Sequence, residues 1–182
     1  MKRIVTIGAV ALLAYAALPY WSVYRLANAF QEADRSRLEK LVDWNSLRSS
    51  IKEELSAQMV AQAASAQGDE EVGAALAAVL GPSLISGMVD GYVNAATIAK
   101  LADDARRDEG SSEGTQIPQD IASRPLDSIE WAFFSSPTEF VVDIKSEKES
   151  GDSARLIFKW HGLLWKLARI QLPDDALSSV KS

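Results

Sequence analysis

A predominantly apolar run near the N-terminus constrains this chain more than any other feature. The run covers residues 4–21 and follows two basic residues, Lys2 and Arg3. As a helix it would be about 27 Å long at ~1.5 Å per residue, close to the ~30 Å hydrocarbon core of a bilayer. Because flanking basic residues stay on the cytoplasmic side, the sequence predicts a cytoplasmic N-terminus and an exported remainder, residues 22–182.

The leader, residues 1–21, has two interpretations. A secretory signal peptide would use residues 4–13 as its apolar core and a small-x-small cleavage site that ends at Ala16. An uncleaved anchor would instead end at residues 19–21, where aromatic rings lie at the headgroup level. Since Tyr15 belongs to an apolar stretch that continues past the cleavage site, we expect an inner-membrane protein with a periplasmic domain. The alternative is secretion to the periplasm after cleavage near Ala16.

The composition excludes several classes of site. The chain has no cysteine and a formal net charge of -6. Disulfides, thiolate nucleophiles, thiolate metal sites and the lipid-modified cysteine of a bacterial lipoprotein are therefore excluded. An acidic domain without a basic run lacks the charge that nucleic-acid binding requires, so we expect no nucleic-acid partner. The exported part is long enough for one domain with a sizeable core.

Residues 22–105 form a predicted helical half. Asp34 and Asp43 each precede an apolar run at helical spacing. Both aspartates are therefore predicted to be N-caps rather than a general acid–base pair. The pair Gly81-Pro82 is expected to end one helix and to precede another that continues to Leu101.

A change of composition divides the chain into two halves. Residues 106–125 are charged and rich in Ser and Gly, which predicts a mobile surface loop. Residues 126–173 then alternate with period two and have short polar connections, the pattern of a four-stranded antiparallel meander. With one face covered by the helices, the predicted fold class is α+β, in a single exported domain over residues 22–182.

Two stretches of the chain carry motifs of a known family. The first comprises residues 19–26 (PYWSVYRL), Asp34 and residues 42–48 (VDWNSLR), and the second comprises residues 162–173 (GLLWKLARIQLP). They resemble a bacterial family, domain-of-unknown-function family 2939, although a threonine-proline step expected near Thr97 is absent. The resemblance implies a small anchored or secreted bacterial protein with no assigned activity. The order of helices and meander also resembles the cone-shaped cystatin and nuclear-transport-factor folds, which often enclose a pocket.

The sequence offers little catalytic chemistry. His161 is the only histidine, so a Ser-His-Asp triad or a His-based zinc site would depend on it alone. It precedes Gly162 in a predicted hairpin turn, where an exposed polar residue is expected. The acidic residues between 103 and 109 lack the ligand spacing of a calcium loop. We therefore predict no catalytic residue, no metal site and no cofactor.

The aromatic residues of the predicted meander are the candidates for binding. They either fill the core or, in part, line a concave apolar pocket. The candidate pocket residues are Trp131, Phe140, Phe158, Trp160 and Trp165.

Three functions follow as hypotheses. The favoured one is a non-catalytic envelope protein, anchored in the inner membrane through residues 4–21, whose domain binds a partner protein or a small amphiphile. The second is a carboxylate-dependent envelope hydrolase, which would need two converging acidic side chains. The third is a structural partner that assembles with other membrane proteins through the leader helix.

Overall fold

The computed structural model describes residues 2–65, 71–107, 126–144, 154–162 and 164–171. Five helices come first: α1 Lys2–Gln31, α2 Arg35–Leu41, α3 Trp44–Ser65, α4 Glu71–Tyr92 and α5 Ala95–Arg107. Four strands follow: β1 Ile129–Ser136, β2 Glu139–Ile144, β3 Ala154–His161 and β4 Leu164–Gln171. The predicted α+β class is confirmed.

The sheet is the predicted meander. Its strands lie in the order β1-β2-β3-β4, and all neighbours are antiparallel. Gly162, between β3 and β4, has a φ of 67°, a conformation that glycine adopts without the steric cost of a Cβ. Beyond β4, Val42 forms a parallel bridge with Leu167, and the Asp43 N–H donates to the Leu167 carbonyl at 2.8 Å. The segment between α2 and α3 therefore covers the free edge of β4, which would otherwise expose unpaired backbone groups.

Helix α1 runs along one face of this sheet, the inner face. In the middle of α1, the Tyr15 ring lies 6.0 Å from that of Trp165. Further along, the Tyr20 ring lies 4.8 Å from that of Phe140. The last turns of α1 reach the opposite ends of the strands, near Ile129. The N-terminal end of α1 therefore emerges beside the β1–β2 and β3–β4 turns.

Two apolar clusters hold the layers together. The larger cluster joins the inner face of the sheet to α1 and α3, and its most deeply buried side chains include Phe140, Phe158 and Trp165. The smaller one joins α1, α2 and α5 through short side chains and leucines, among them Ala29 and Leu38. Alanine side chains allow helices to approach closely, and three of the five buried residues in this cluster are alanines.

The predicted helix caps are confirmed. Asp34 precedes α2, and its Oδ1 accepts a hydrogen bond from the Arg37 N–H at 3.0 Å. Asp43 precedes α3, and its Oδ1 accepts from the Ser46 N–H at 3.2 Å. Each carboxylate satisfies a backbone donor that the first helical turn leaves unpaired and lies at the positive end of the helix dipole.

The predicted helix boundary at Gly81-Pro82 is wrong. Helix α4 continues through Pro82, whose ring is exposed, and ends only at Tyr92. Residues 93–94 separate it from α5. Asn94 then caps α5, accepting from the Thr97 N–H at 2.9 Å. Packing of α4 against α3 outweighs the hydrogen bond that proline removes. The predicted loop begins later than expected, because α5 extends to Arg107, and its remainder lies outside the described residues.

Within the described part of the chain, one helical segment is long and apolar enough to cross a membrane. It is Thr6–Gln31, most of α1. A signal sequence near the N-terminus passes the same test of length and hydropathy, so what this finding establishes is an apolar N-terminal helix.

Candidate functional site: an apolar cavity

A cavity of about 310 Å³ lies between the inner face of the sheet and the helices. Side chains from α1, α2, α3, α5 and all four strands form its wall, and every wall residue is apolar. Leu26 and Phe30 come from α1, and Ile144, Leu156 and Ile170 come from the strands. The volume is at the lower end of the ~300–1,000 Å³ range of ligand pockets.

The cavity exists because the two ends of the inner face carry side chains of different size. At the end near the hairpin turns, large rings pack edge to face, including Phe134, Phe140 and Trp165 at centroid distances of 5.1–6.4 Å. At the opposite end the strands carry only aliphatic side chains, such as Ile144 and Ile170. The smaller aliphatic groups leave the space beneath α1 unfilled.

Trp44 places a polar atom at this wall. Its indole Nε1 is buried, and the structure shows no hydrogen-bond acceptor for it among the described residues. A buried donor without an acceptor costs about 1–3 kcal/mol.

The five aromatic residues predicted from the sequence are not all at this cavity. Phe158 forms part of the wall. Phe140 and Trp165 are buried beside it in the aromatic end of the core, and Trp160 is partly buried there. Trp131 is 67% exposed on the other face of the sheet, the outer face.

A register shift explains the position of Trp131. Strict alternation from Ile129 would place Trp131 and Phe133 on the same face as Ile129. The β1–β2 pairing shifts between Ile129 and Trp131, so Ala132 and Phe134 face inward instead. Sequence reasoning therefore missed Phe134 as a core residue.

Tyr15 was also missed as a core residue. The apolar run assigned it to the leader, but its ring contacts Phe134, Trp160 and Trp165 at centroid distances of 5.5–6.3 Å. Its hydroxyl also donates to the carbonyl oxygen of Pro137. Nothing in the local sequence distinguishes Tyr15 from a membrane-facing residue.

His161 lies at the end of β3, and its Nε2 is 3.1 Å from Oδ2 of Asp43. The Ser46 hydroxyl donates to the same Oδ2 at 2.7 Å. The carboxylate thus lies between the hydroxyl and the imidazole, whereas a catalytic triad needs the imidazole in the middle. The contact links the β3–β4 hairpin to the start of α3.

The environment of Asp43 changes its acidity. Burial alone raises the pKa of this carboxyl group. Hydrogen bonds from the side chain and backbone of Ser46, together with the charge of His161, outweigh burial and leave the pKa below its ordinary value of 3.8. Asp43 is therefore ionised at neutral pH, as a helix cap requires.

The structure has an apolar cavity and a second hollow on the outer face of the sheet. Among the described residues, neither is lined by two carboxylates that could act as a general acid and a general base. The apolar cavity has no carboxylate on its wall. A second hollow of about 420 Å³ on the outer face has one, Glu139, beside Arg155, Lys159 and Arg169. Asp143 lies near this hollow but pairs with Arg155, at 2.7 Å to Nε and 3.2 Å to Nη2. In the described part, no group of three or more His, Asp or Glu side chains is arranged to hold a metal ion.

Comparison with known proteins identifies a family. The model of the family described as protein of unknown function, DUF2939, matches residues 9–101. The match extends from the apolar part of α1 to α5, so it includes the helical wall of the cavity and stops before the sheet. No curated protein and no solved structure matches the chain. Because the matched residues make up just over half of the chain, this protein belongs to the DUF2939 family.

Proposed function

We propose that this protein is a non-catalytic binding module of the bacterial envelope, anchored in the inner membrane through α1. In this proposal the apolar cavity takes the apolar chain of a small amphiphile. The observation that carries the proposal is a continuous helix: α1 forms one wall of the cavity and extends without a break into an exposed apolar segment.

The exposed part of α1 supports an anchor. Ile7, Val10, Leu12 and Leu13 are 60–71% exposed. A soluble monomer rarely presents such a contiguous apolar surface to water. A bilayer would cover it, and Lys2 and Arg3 would then remain on the cytoplasmic side.

The position of Tyr15 supports retention of the leader. Cleavage after Ala16 would remove the Tyr15 ring from the aromatic end of the core, together with its hydrogen bond to Pro137. A core that includes a leader residue is best preserved when the leader stays attached. Secretion after cleavage is therefore the less favoured alternative.

The size and lining of the cavity support a single apolar chain as the ligand. A wall without charged groups provides no partner for an ionic headgroup. About 310 Å³ is small for a two-chain lipid, since pockets for drug-sized ligands reach ~1,000 Å³.

The anchor is tested by mass. Native mass spectrometry of the full-length chain, extracted gently from membranes, should show a mass that retains Met1. A mass that begins near residue 17 would remove the anchor from the proposal. Excess mass on the intact chain would indicate a retained ligand.

The cavity is tested with a matched pair of β2 variants. Ile144 lines the apolar cavity and Val141 lines the outer hollow. Dodecanoate binding to full-length protein in nanodiscs, with empty nanodiscs as background, would be measured by calorimetry. Ile144→Phe should abolish binding, whereas Val141→Phe should leave it unchanged. Equal effects of the two variants, or no binding to the wild type, would reject the cavity as the binding site.

A further inference from the structure

The exposed segment of α1 is short for a membrane span. Residues 2–14 precede the first contact with the sheet at Tyr15, and they rise about 20 Å at ~1.5 Å per residue. The hydrocarbon core of a bilayer is ~30 Å thick, and a bilayer thins locally around a shorter apolar segment. A membrane that accommodates α1 therefore brings its headgroup layer to the level of Tyr15, where the folded domain begins.

The end of the domain at this level consists of the two hairpin turns. Tyr15 donates to Pro137 in the β1–β2 turn, and its ring lies 5.5 Å from that of Trp160 near the β3–β4 turn. Pro137 and Gly162 are both exposed. Leu164, directly after the second turn, is 44% exposed although it is a large apolar residue.

Two lysines lie next to this end. Lys159 and Lys166 are register partners on β3 and β4, two residues from His161 and Leu164 respectively. Neither lysine has an ion pair with a residue that the structure describes. Glu139, the register partner of Lys159 on β2, accepts a hydrogen bond from Ser135 at 2.7 Å.

We propose that the two hairpin turns lie in the headgroup layer of the membrane that holds α1, with Lys159 and Lys166 bound to anionic lipid phosphates. The inference rests on the proposed anchor. Contact with anionic phosphates requires positive charge on the protein surface. The two lysines provide that charge locally, although the net charge of the chain is -6. Their long side chains can extend from the sheet to the phosphates.

The carboxylates at this end do not oppose the contact equally. Asp43 lies 3.1 Å from His161 and accepts a hydrogen bond from the Ser46 hydroxyl at 2.7 Å, so its carboxylate already has partners within the domain. Glu139 remains, and the row of register partners Glu139, Lys159 and Lys166 still carries one net positive charge.

Aromatic rings on α1 also fit a membrane interface. Trp21 and Tyr24 stack at 5.7 Å and are 59% and 44% exposed, as amphipathic rings at a membrane interface are.

The absence of cysteine allows a direct depth measurement on the full chain. Single variants Val10→Cys, Leu164→Cys and Glu130→Cys would carry a nitroxide in nanodiscs of phosphatidylcholine and phosphatidylglycerol. Glu130 is exposed near the start of β1, at the end of the sheet away from the turns, and serves as the control. Collision with oxygen and with a nickel chelate then reports the depth of each label.

The expected order is the acyl region for residue 10, the headgroup layer for residue 164 and water for residue 130. A label at 164 as water-accessible as the one at 130, with residue 10 still in the acyl region, overturns this inference and leaves the anchor intact. A label at residue 10 in water overturns the anchor and this inference together.

A charge variant tests the contact with lipid phosphates. Lys159→Gln combined with Lys166→Gln should move the label at residue 164 toward water, as should removal of phosphatidylglycerol. The matched control combines Lys40→Gln with Lys100→Gln, two exposed lysines on α2 and α5, and should leave the depth unchanged. A depth that is insensitive to both the lysines and the lipid charge overturns the assignment of anionic lipid.

Discussion

The hydroxyl of Tyr15 donates a hydrogen bond to the carbonyl oxygen of Pro137, across 122 positions in the chain. This contact joins the apolar N-terminal helix to the β1–β2 turn. It makes a residue of the leader part of the folded domain, and it determines which end of the sheet faces any membrane that α1 enters.

Tyr15→Ala should lower the free energy of unfolding by about 2–4 kcal/mol, since truncating a large aromatic ring in a core costs ~3–5 kcal/mol and Tyr15 is only partly buried. Tyr15→Phe keeps the ring contacts and should cost about 1 kcal/mol, the net value of one hydrogen bond. Denaturant unfolding of the full chain in detergent micelles measures both. Equal stability of Tyr15→Ala and wild type would show that the leader does not contribute to the core.

Asp43 should make the stability depend on acid pH. Its pKa in the folded protein lies below the ordinary 3.8, so the unfolded state binds its proton at higher pH than the folded state does. The stabilisation is therefore complete above about pH 4 and is lost as the pH falls through the folded value. Asp43→Asn should be less stable than wild type at pH 6, and the difference should shrink below pH 4.

Ser46 provides the control for this titration. The Ser46 side chain donates to Asp43 at 2.7 Å, so Ser46→Ala should raise the pKa of Asp43 toward its ordinary value and shift the acid transition upward. Carboxyl titration followed by NMR measures the shift. An unchanged transition would mean that other carboxylates control the acid stability.

Ala33→Gly should stabilise the protein by about 0.5–1 kcal/mol. Ala33 lies in the turn that follows α1 and has a φ of 51°, a left-handed conformation that costs an L-residue ~1–2 kcal/mol and glycine almost nothing. The greater freedom of glycine in the unfolded chain offsets part of the gain. Ala33→Val should have the opposite sign because a β-branched residue disfavours positive φ. Thermal unfolding measures the two variants, and the same sign for both would contradict the assigned conformation.

Pro82→Ala should also be stabilising, by about 1–3 kcal/mol, because proline inside a helix costs ~3 kcal/mol relative to alanine. Ser83→Ala, at the next exposed position, should change the stability by less than ~0.5 kcal/mol. Unfolding followed by circular dichroism distinguishes them. Indistinguishable stability of Pro82→Ala and wild type would indicate that the helix ends at Gly81, as the sequence pattern predicts.

Several parts of the fold were predictable because their causes are local. Asp34 and Asp43 cap helices because the oxygen of a short side chain at this position accepts a hydrogen bond from the first helical turn in any protein. The apolar run that follows each aspartate marks where the helix begins. The four strands follow from period-two alternation and short turns, and the glycine between β3 and β4 adopts the positive φ that a tight turn needs. Family membership was also predictable from the motif around residues 19–48.

The candidate site was predictable only in part. Of the five aromatic residues proposed for a pocket, Phe158 lines the cavity and Trp131 is exposed on the outer face. A single register shift in β1 separates them, and such a shift depends on pairing with β2 rather than on the composition of β1. The aliphatic residues of the wall carried no signal of their own, because apolar residues at these spacings are equally typical of a filled core.

The sequence by itself determined the order of helices and strands, the helix caps, the antiparallel meander and an apolar N-terminal helix of membrane-spanning length, since each depends on neighbours within a few residues. The tertiary structure alone decided that Tyr15 belongs to the core, that α4 continues through Pro82, which face Trp131 occupies and where the cavity lies. These features depend on packing between residues far apart in the chain, and the energy of such contacts exceeds the local preferences from which a sequence is interpreted.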